Sequence, residues 1–411
     1  MKLLDLYLKN IGPFLDDTVE FATFENSKKQ VTILTGENGT GKTIILDTIR
    51  GLLLGDKARN SLKRKISRND DFSTQLSLSV KNQTTKIYAK KFNAHFPVSL
   101  ETESSNLNVA SIFYFPTKSK GNIWIANYWT SQNDNESFNI ASLDFLKPDQ
   151  YLINALDGIQ KNAETTKIIT FFDYYKSSDK LEQKKEGEFI YETIKRIFKI
   201  SLNEGELKYV DRASLLPIIE INGNEISLEK LSSGNLYLIQ RMLGLLSQMY
   251  SVYKLNDLAL EDMLKTPGVL LIDEAENHLH PKWQKTFLNS ILEIFPNLQI
   301  IATTHSPFIV GSVDGAKIYV CKSQDNHSVI EDETSFYSNK PINEILVSEV
   351  FSETQPFASK EISDLLEERE KAIHENNKEL ENKIEDRLLE INPQYFSYFK
   401  IDDLIKQIQN Q

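Results

Sequence analysis

Gly36-Glu37-Asn38-Gly39-Thr40-Gly41-Lys42-Thr43 fits the pattern G-x-x-x-x-G-K-[ST] at every fixed position. The octapeptide follows the apolar run Val31-Thr32-Ile33-Leu34 and precedes the helix-like Ile44-Ile45-Leu46-Asp47-Thr48-Ile49. Strand, loop and helix in that order form the context in which the pattern has a mechanism. The glycines let backbone N–H groups turn inward around phosphates, and the helix N-terminus adds partial positive charge. Asn38, Gly39, Gly41, Lys42 and Thr43 are therefore the expected contacts to a nucleoside triphosphate. Lys42 is expected at the β- and γ-phosphates, with the Thr43 hydroxyl ligating Mg²⁺. The bland alternative is a glycine-rich turn without a ligand, and the flanking strand and helix weigh against it.

Working outward, Val269-Leu270-Leu271-Ile272 ends in Asp273-Glu274, a hydrophobic strand closing on two carboxylates. In a parallel α/β sheet the ligand sits at the carboxyl ends of the strands, beside the phosphate loop. Asp273 is then expected to hold Mg²⁺, and Glu274 to polarise an attacking water. A strand ending in Asp-Glu says little alone; paired with the phosphate loop it says much. One strand later, Gln299-Ile300-Ile301-Ala302-Thr303-Thr304 leads into His305-Ser306-Pro307. A histidine placed there can hydrogen-bond the γ-phosphate or the lytic water, although a lone histidine is more often structural. Leu231-Ser232-Ser233-Gly234 precedes a helical run from Asn235 to Tyr250. Read alone it is a capped helix start, but hydroxyls and amides at a helix N-terminus also bind phosphate.

The bulk numbers bound the answer. A chain of 411 residues has room for two or three domains. Its formal charge of −11 argues against a surface that coats nucleic acid throughout, while leaving room for a local basic patch. Cys321 stands alone, so no intramolecular disulfide forms, and no Cys/His cluster suggests structural zinc. Met1-Lys2-Leu3-Leu4-Asp5-Leu6 alternates and carries charge, as a strand does and a signal peptide does not. No apolar run reaches the roughly 18 residues of a membrane span. The expected location is cytoplasmic.

Residues 1–100 read as an N-terminal lobe of strands around helix 42–54. Leu4, Leu6 and Leu8 alternate, Asn10-Ile11-Gly12-Pro13 turns, and Leu76–Val80 with Lys86–Ala89 form an antiparallel pair. Residues 101–205 form an insertion, helical in its second half on the spacing of Leu152, Ala155, Leu156, Ile159, Phe189, Ile190, Ile194, Ile197 and Phe198. A charged link, Lys176–Glu188, separates its two helices, and the aromatic stretch around Tyr114, Trp124, Tyr128 and Trp129 resists assignment. Residues 206–335 form a second α/β lobe with a hairpin at Asn222-Gly223, helix 234–250, helix 281–295 and a polar loop at Glu331-Asp332-Glu333. Residues 336–411 form a helical tail, in which Ile362, Leu365, Leu366, Ile373, Leu380, Ile384 and Leu388 make an apolar stripe.

The phosphate loop, the Ser-Ser-Gly helix start and the Asp-Glu strand stand in the chain order of ABC-type ATPases. The chain resembles the SMC, RecF and OLD group of that class. The similarity rests on Asn10-Ile11-Gly12-Pro13-Phe14, the phosphate loop, Leu231–Gly234, the block from Asp273 to Pro281 and Thr304-His305-Ser306-Pro307. It implies an α/β fold: an ABC-type P-loop ATPase head with a mixed sheet, an antiparallel lobe, a helical insertion and a C-terminal helical tail. It further implies a homodimer of heads with two ATP molecules between them, each touching Ser232 and Gly234 of the opposite protomer. Ser233 departs from the usual glycine, and a glutamine loop cannot be placed. His278 and His280 invite a metal reading, but their spacing lacks the i, i+4 geometry of helical zinc sites. A loop role at the dimer interface is preferred.

Only about 100–150 residues separate the lobes, without sustained heptads, which excludes a long-armed machine. No TOPRIM pattern follows His305, so no intrinsic nuclease is expected. The tail beginning at Val350-Phe351-Ser352 resembles ATPase subunits of Septu-type and retron-associated anti-phage systems. That implies a slow, regulatory ATPase with a separately encoded HNH-type nuclease bound through the C-terminal region. A RecF-like DNA-binding ATPase is the competing reading, on Lys63, Arg64, Lys65 and Arg68 with Lys57, Arg59, Lys81, Lys86, Lys90 and Lys91. A transporter ATPase subunit is disfavoured by the tail and the His-Leu-His-Pro block.

Overall fold

Strand β3 (Val31–Gly36) is buried along its whole length, and its last residue opens the phosphate loop. A strand covered on both faces reads as an unbroken apolar run, which is why residues 31–34 show no alternation. The structure is a computed structural model. It describes residues 1–54, 72–80, 83–90, 99–102, 124–130, 165–202, 205–338, 340–346, 348, 350–351, 360–374, 377–393 and 395–396. The chain divides into two compact units, Met1–Ile345 and Leu346–Gln411.

In the first unit the centre of the main sheet is parallel. β7 (Ile125–Trp129), β11 (Gly268–Ile272), β12 (Leu298–Thr303), β3 and β13 (Lys317–Gln324) lie side by side in that order. An antiparallel lobe continues the same sheet through β14 (His327–Asp332), β2 (Phe14–Glu20), β1 (Lys2–Ile11), β4 (Ser73–Val80), β5 (Gln83–Lys90) and β6 (Ser99–Thr102). The fold is thus α/β, with a mixed sheet that carries the phosphate loop at the end of a central parallel strand. Gln299, buried at the start of β12, stitches the two halves: its Oε1 accepts the Leu3 N–H at 2.7 Å. Its Nε2 donates to the carbonyls of Leu3 and Ala22 at 2.8 and 3.0 Å.

Helix α1 (Lys42–Leu54) leaves the phosphate loop and buries Ile45, Leu46, Ile49, Leu52 and Leu53 in the core beneath the antiparallel lobe. On a second side, α2 (Thr165–Tyr175), α3 (Leu181–Leu202) and α4 (Ser233–Asn256) pack on one another. A small sheet of β8 (Gly205–Val210), β9 (Pro217–Ile221) and β10 (Asn224–Ser227) completes this region. Asn222 and Gly223 both take positive φ, 51° and 77°, in the expected two-residue hairpin. The second unit contains α8 (Lys360–His374) and α9 (Lys378–Ile391), an amphipathic pair. Ile384, Leu388 and Phe396 pack with Ile362, Leu365, Leu366 and Leu389, and the Arg369 guanidinium donates to Glu385 at 2.7 Å. Ile373 and Leu380, read as part of the stripe, are largely exposed.

Several sequence expectations are corrected. Leu4 does not share a face with Leu6 and Leu8: a register shift between Leu3 and Asp5 switches the phase, and Leu3 is buried instead. The segment Lys176–Glu188 is not all linker, because α3 starts at Leu181. Glu186 is held in it by Lys254 Nζ and Tyr253 OH, each at 2.9 Å, so tertiary partners draw the charged turn into the helix. Helix 234–250 continues to Asn256, where Asp257 caps it at φ 50°. Helix 281–295 is two helices, α5 (Pro281–Gln284) and α6 (Phe287–Ile294). They part at Thr286, at φ −116°, whose hydroxyl donates to the Trp283 carbonyl. Glu331 and Asp332 are not loop residues but the end of β14, where Glu331 pairs with Lys322 at 2.6 Å. The helix expected around Leu152, Ala155, Leu156 and Ile159 lies outside the described residues.

Candidate active site

The parallel order β11-β12-β3 brings three chain segments, remote in sequence, to one row of strand ends. β3 supplies the phosphate loop. Gly41 takes φ +97°, and a Cβ there would fall 2.7 Å from the Phe14 ring and Pro13. The β1–β2 turn therefore lies directly on the loop and leaves room for glycine alone. Asn38 and Gly39 are exposed at its tip. Lys42 is buried, and its ammonium donates to the carbonyls of Gly36 at 2.9 Å and Glu37 at 2.7 Å. Burial lowers its pKa, an effect opposed by Cys321, Glu276, Asp273 and Glu274.

β11 supplies the carboxylates. Asp273 is buried and fixed by its main chain, whose N–H donates to the Trp129 carbonyl at 2.9 Å. Its Oδ1 accepts the hydroxyls of Thr43 at 3.0 Å and Thr303 at 2.7 Å, and its Oδ2 accepts the Tyr128 hydroxyl at 3.4 Å. Burial and the neighbouring Asp273 push the Tyr128 phenol up to about 12, so it remains a donor. The Arg50 guanidinium lies 3.9 Å from the centre of the Tyr128 ring and pairs with Asp47 at 2.8 Å. Thr43 and Asp273 present adjoining hard oxygen donors, the donor set that Mg²⁺ takes. Glu274 is exposed in the left-handed region at φ 55°, and its N–H donates to Thr303 Oγ1 at 2.8 Å. The Asn277 amide donates to its carboxylate.

β12 supplies His305, which is half-buried. Burial and then Lys42 lower its imidazole pKa below the ordinary 6.5, against the opposite pull of Glu276, Glu274 and Asp273. The main-chain N–H of His305 donates to Glu276 at 2.7 Å, and the Thr304 hydroxyl donates to the other oxygen of Glu276 at 2.6 Å.

Ser232 caps α4: it is exposed, and its hydroxyl accepts the Asn235 N–H at 3.4 Å. Gly234 packs so tightly on the loop after β11 that a Cβ would come within 2.4 Å of the His278 carbonyl oxygen. The same helix is anchored by buried Arg241, which donates to the Thr130 carbonyl at 3.2 Å. His280 caps α5 through Nδ1, which accepts the Lys282 N–H at 3.2 Å. Among the described residues no group of three His, Cys, Asp or Glu side chains could hold a metal.

Lys42, Thr43, Asp273, Glu274 and His305 therefore lie around one set of strand ends, while Ser232 and Gly234 belong to the start of α4. Lys63, Arg64, Lys65 and Arg68 lie outside the described residues, as do Lys57, Arg59, Lys81 and Lys91. The sequence reading missed Thr303, Tyr128, Asn277 and Glu276. The residue types of the block after Asp273 offered a signal for Glu276 and Asn277; nothing local pointed to Tyr128, whose strand pairs with β11 only in the fold.

Residues 31–311 match the protein family described as "AAA domain, putative AbiEii toxin, Type IV TA system", and the chain belongs to that family. It is an ATPase. It is similar to the protein named "Retron Vc95 probable ATPase" of Vibrio cholerae serotype O1 biovar El Tor, 24% identical, with 90% of this chain and 86% of that protein covered. It is also similar to the Septu protein PtuA of Bacillus thuringiensis, 29% identical over 69% of this chain and 68% of that protein. Among solved structures, an Smc head bound to the C-terminal winged-helix domain of ScpA matches with TM-score 0.49 at 16% identity, covering 80% and 97% of the two chains. Among the described residues no helix is long and apolar enough to cross a membrane.

Proposed function

We propose that this ATPase works as a homodimer whose heads sandwich two ATP molecules, and that it controls a separately encoded nuclease in a bacterial anti-phage complex. The observation that supports the dimer reading is the separation of two groups of residues. Lys42, Thr43, Asp273, Glu274 and His305 gather at the strand ends, while exposed Ser232 stands at the N-terminus of a 24-residue helix. A helix N-terminus is an anion site, and Ser232 and Gly234 suit the γ-phosphate held by the opposite head.

In this reading Lys42 gives up the carbonyls of Gly36 and Glu37 for the β- and γ-phosphates. Thr43 and Asp273 would hold Mg²⁺, which would neutralise phosphate charge when bound. Glu274 polarises the attacking water, and neutral His305 accepts or donates a hydrogen bond beside the γ-phosphate. ATP completes the interface, so its hydrolysis releases the heads. Glu274→Gln keeps the shape of the side chain but removes the base. Turnover should fall roughly 10²–10⁴-fold while an ATP-bound dimer accumulates on size exclusion. Equal turnover in variant and parent contradicts the assignment.

The retron and Septu relatives support the defence half of the proposal. The partner we assign is an HNH-type nuclease encoded beside this chain and bound through the helical unit of α8 and α9. Co-expression of the neighbouring nuclease with the full chain, and with α8 and α9 carrying surface charge reversals, checks it. Co-purification that the reversals abolish is expected; co-purification indifferent to them moves the docking site elsewhere.

A further inference from the structure

We infer that Glu276 is a positioning residue for ATP hydrolysis, holding the loop that carries His305 in register with Glu274 through two hydrogen bonds of its carboxylate. The inference rests on the proposed catalytic roles of Glu274 and His305.

The turn after β11 contains both Glu274 and Glu276, and it has a separate hold on each half of the site. Asn277 donates to the Glu274 carboxylate, so the turn fixes that side chain locally. Glu276 reaches across to the next strand end, where one oxygen accepts the His305 N–H at 2.7 Å and the other accepts the Thr304 hydroxyl at 2.6 Å. Thr304 is fully buried, and its oxygen also accepts the Ser306 N–H at 2.9 Å. Its proton is therefore committed to Glu276. Two donors converge on one side chain, and only a carboxylate accepts on both of its oxygens. Bonds to an ionised acceptor are roughly twice as strong as neutral ones. The far side of the loop is held from the same segment of chain. The Ser306 hydroxyl donates to Gln284 Oε1 at 2.6 Å, and Gln284 Nε2 donates to the Leu279 carbonyl at 2.8 Å. Residues 304–306 are thus held between Glu276 and Gln284, which fixes the main chain that carries the His305 imidazole.

The test is steady-state ATPase of the full chain with Mg²⁺-ATP, comparing Glu276→Gln, Glu276→Ala, His305→Ala and the double variant Glu276→Gln/His305→Ala. Glutamine keeps an acceptor for the His305 N–H but turns a donor toward Thr304. Both single substitutions at 276 should lower kcat by about tenfold or more, with alanine the more severe, while KM for ATP stays within about twofold. With His305 already removed, Glu276→Gln should cost less than about a further twofold, because aiming an absent imidazole has no consequence. Thr304→Val should lower kcat partially and Thr304→Ser restore it, a comparison that stands even where Glu276→Ala folds poorly. A full-sized effect of Glu276→Gln in the His305→Ala background overturns the inference, as does parental turnover in both Glu276 variants. Parental turnover in His305→Ala overturns the underlying reading of His305, and is distinguishable because it concerns that single variant alone.

Discussion

At the scale of single residues, the site's ionisation states follow from burial and from which charges face each other. His305 loses water on folding and faces the Lys42 ammonium, so its pKa lies below 6.5 and the imidazole is neutral at pH 7. Between that lowered value and 6.5 the unfolded chain binds a proton that the native chain does not. Native stability should therefore fall as pH drops through this window and be unaffected by His305 above it. Denaturant titrations across the window should show a steeper acid decline in the parent than in His305→Gln; parallel declines contradict the assignment. Cys321 is buried on β13, opposite Gly36, and burial pushes its thiol up to about 12. It should stay unreactive toward a thiol reagent in the native protein and react at the rate of opening under denaturant. Rapid labelling of the folded chain would show that β13 is more accessible than its burial implies. That Lys42, Thr43, Asp273 and His305 meet at one row of strand ends was legible in the sequence because their motifs are local and each follows an apolar strand. Tyr128 and Arg50 were not, because their role depends on β7 pairing with β11, which no local pattern near residue 128 announces.

Elements follow their burial. Strands covered on both faces, β3, β11 and β12, appear in the sequence as continuous apolar runs, and they were found within a residue or two. β7 is equally buried and was missed, since Asn127, Tyr128 and Trp129 do not resemble a run of aliphatics. α3 was misjudged at its start because its first two turns are charged on the exposed side, and the group that fixes them, Glu186, finds its partners on α4. Gln299 shows what a buried polar side chain contributes at this scale. Gln299→Leu fills similar volume but leaves the Leu3 N–H and the Leu3 and Ala22 carbonyls without this partner. It should destabilise the first unit by about 3 kcal/mol, from about 1–3 kcal/mol for each buried group left unpaired. Urea unfolding checks this, and a loss within about 0.5 kcal/mol, the range of an ordinary surface change, places the stitch elsewhere.

At the scale of the whole first unit, the groups proposed to bind nucleotide are divided between two places: the ends of β3, β11 and β12, and the exposed start of α4. A monomer holds both but is proposed to use them on two different ATP molecules, which makes assembly and nucleotide state one equilibrium. The division also separates two kinds of defect. Lys42→Ala removes the phosphate lysine from a protomer's own site, while Ser232→Arg places a bulky cation where the opposite protomer's γ-phosphate is to dock. Each variant alone should be nearly inactive. Mixed in equal amounts, half of the randomly paired dimers contain one of each, and in those one of two sites is intact. The ATPase rate of that mixture is the most direct test: recovery to about a quarter of the parental rate is the predicted result for independent sites in a two-fold dimer. A mixture no more active than the sum of its parts would contradict the shared site.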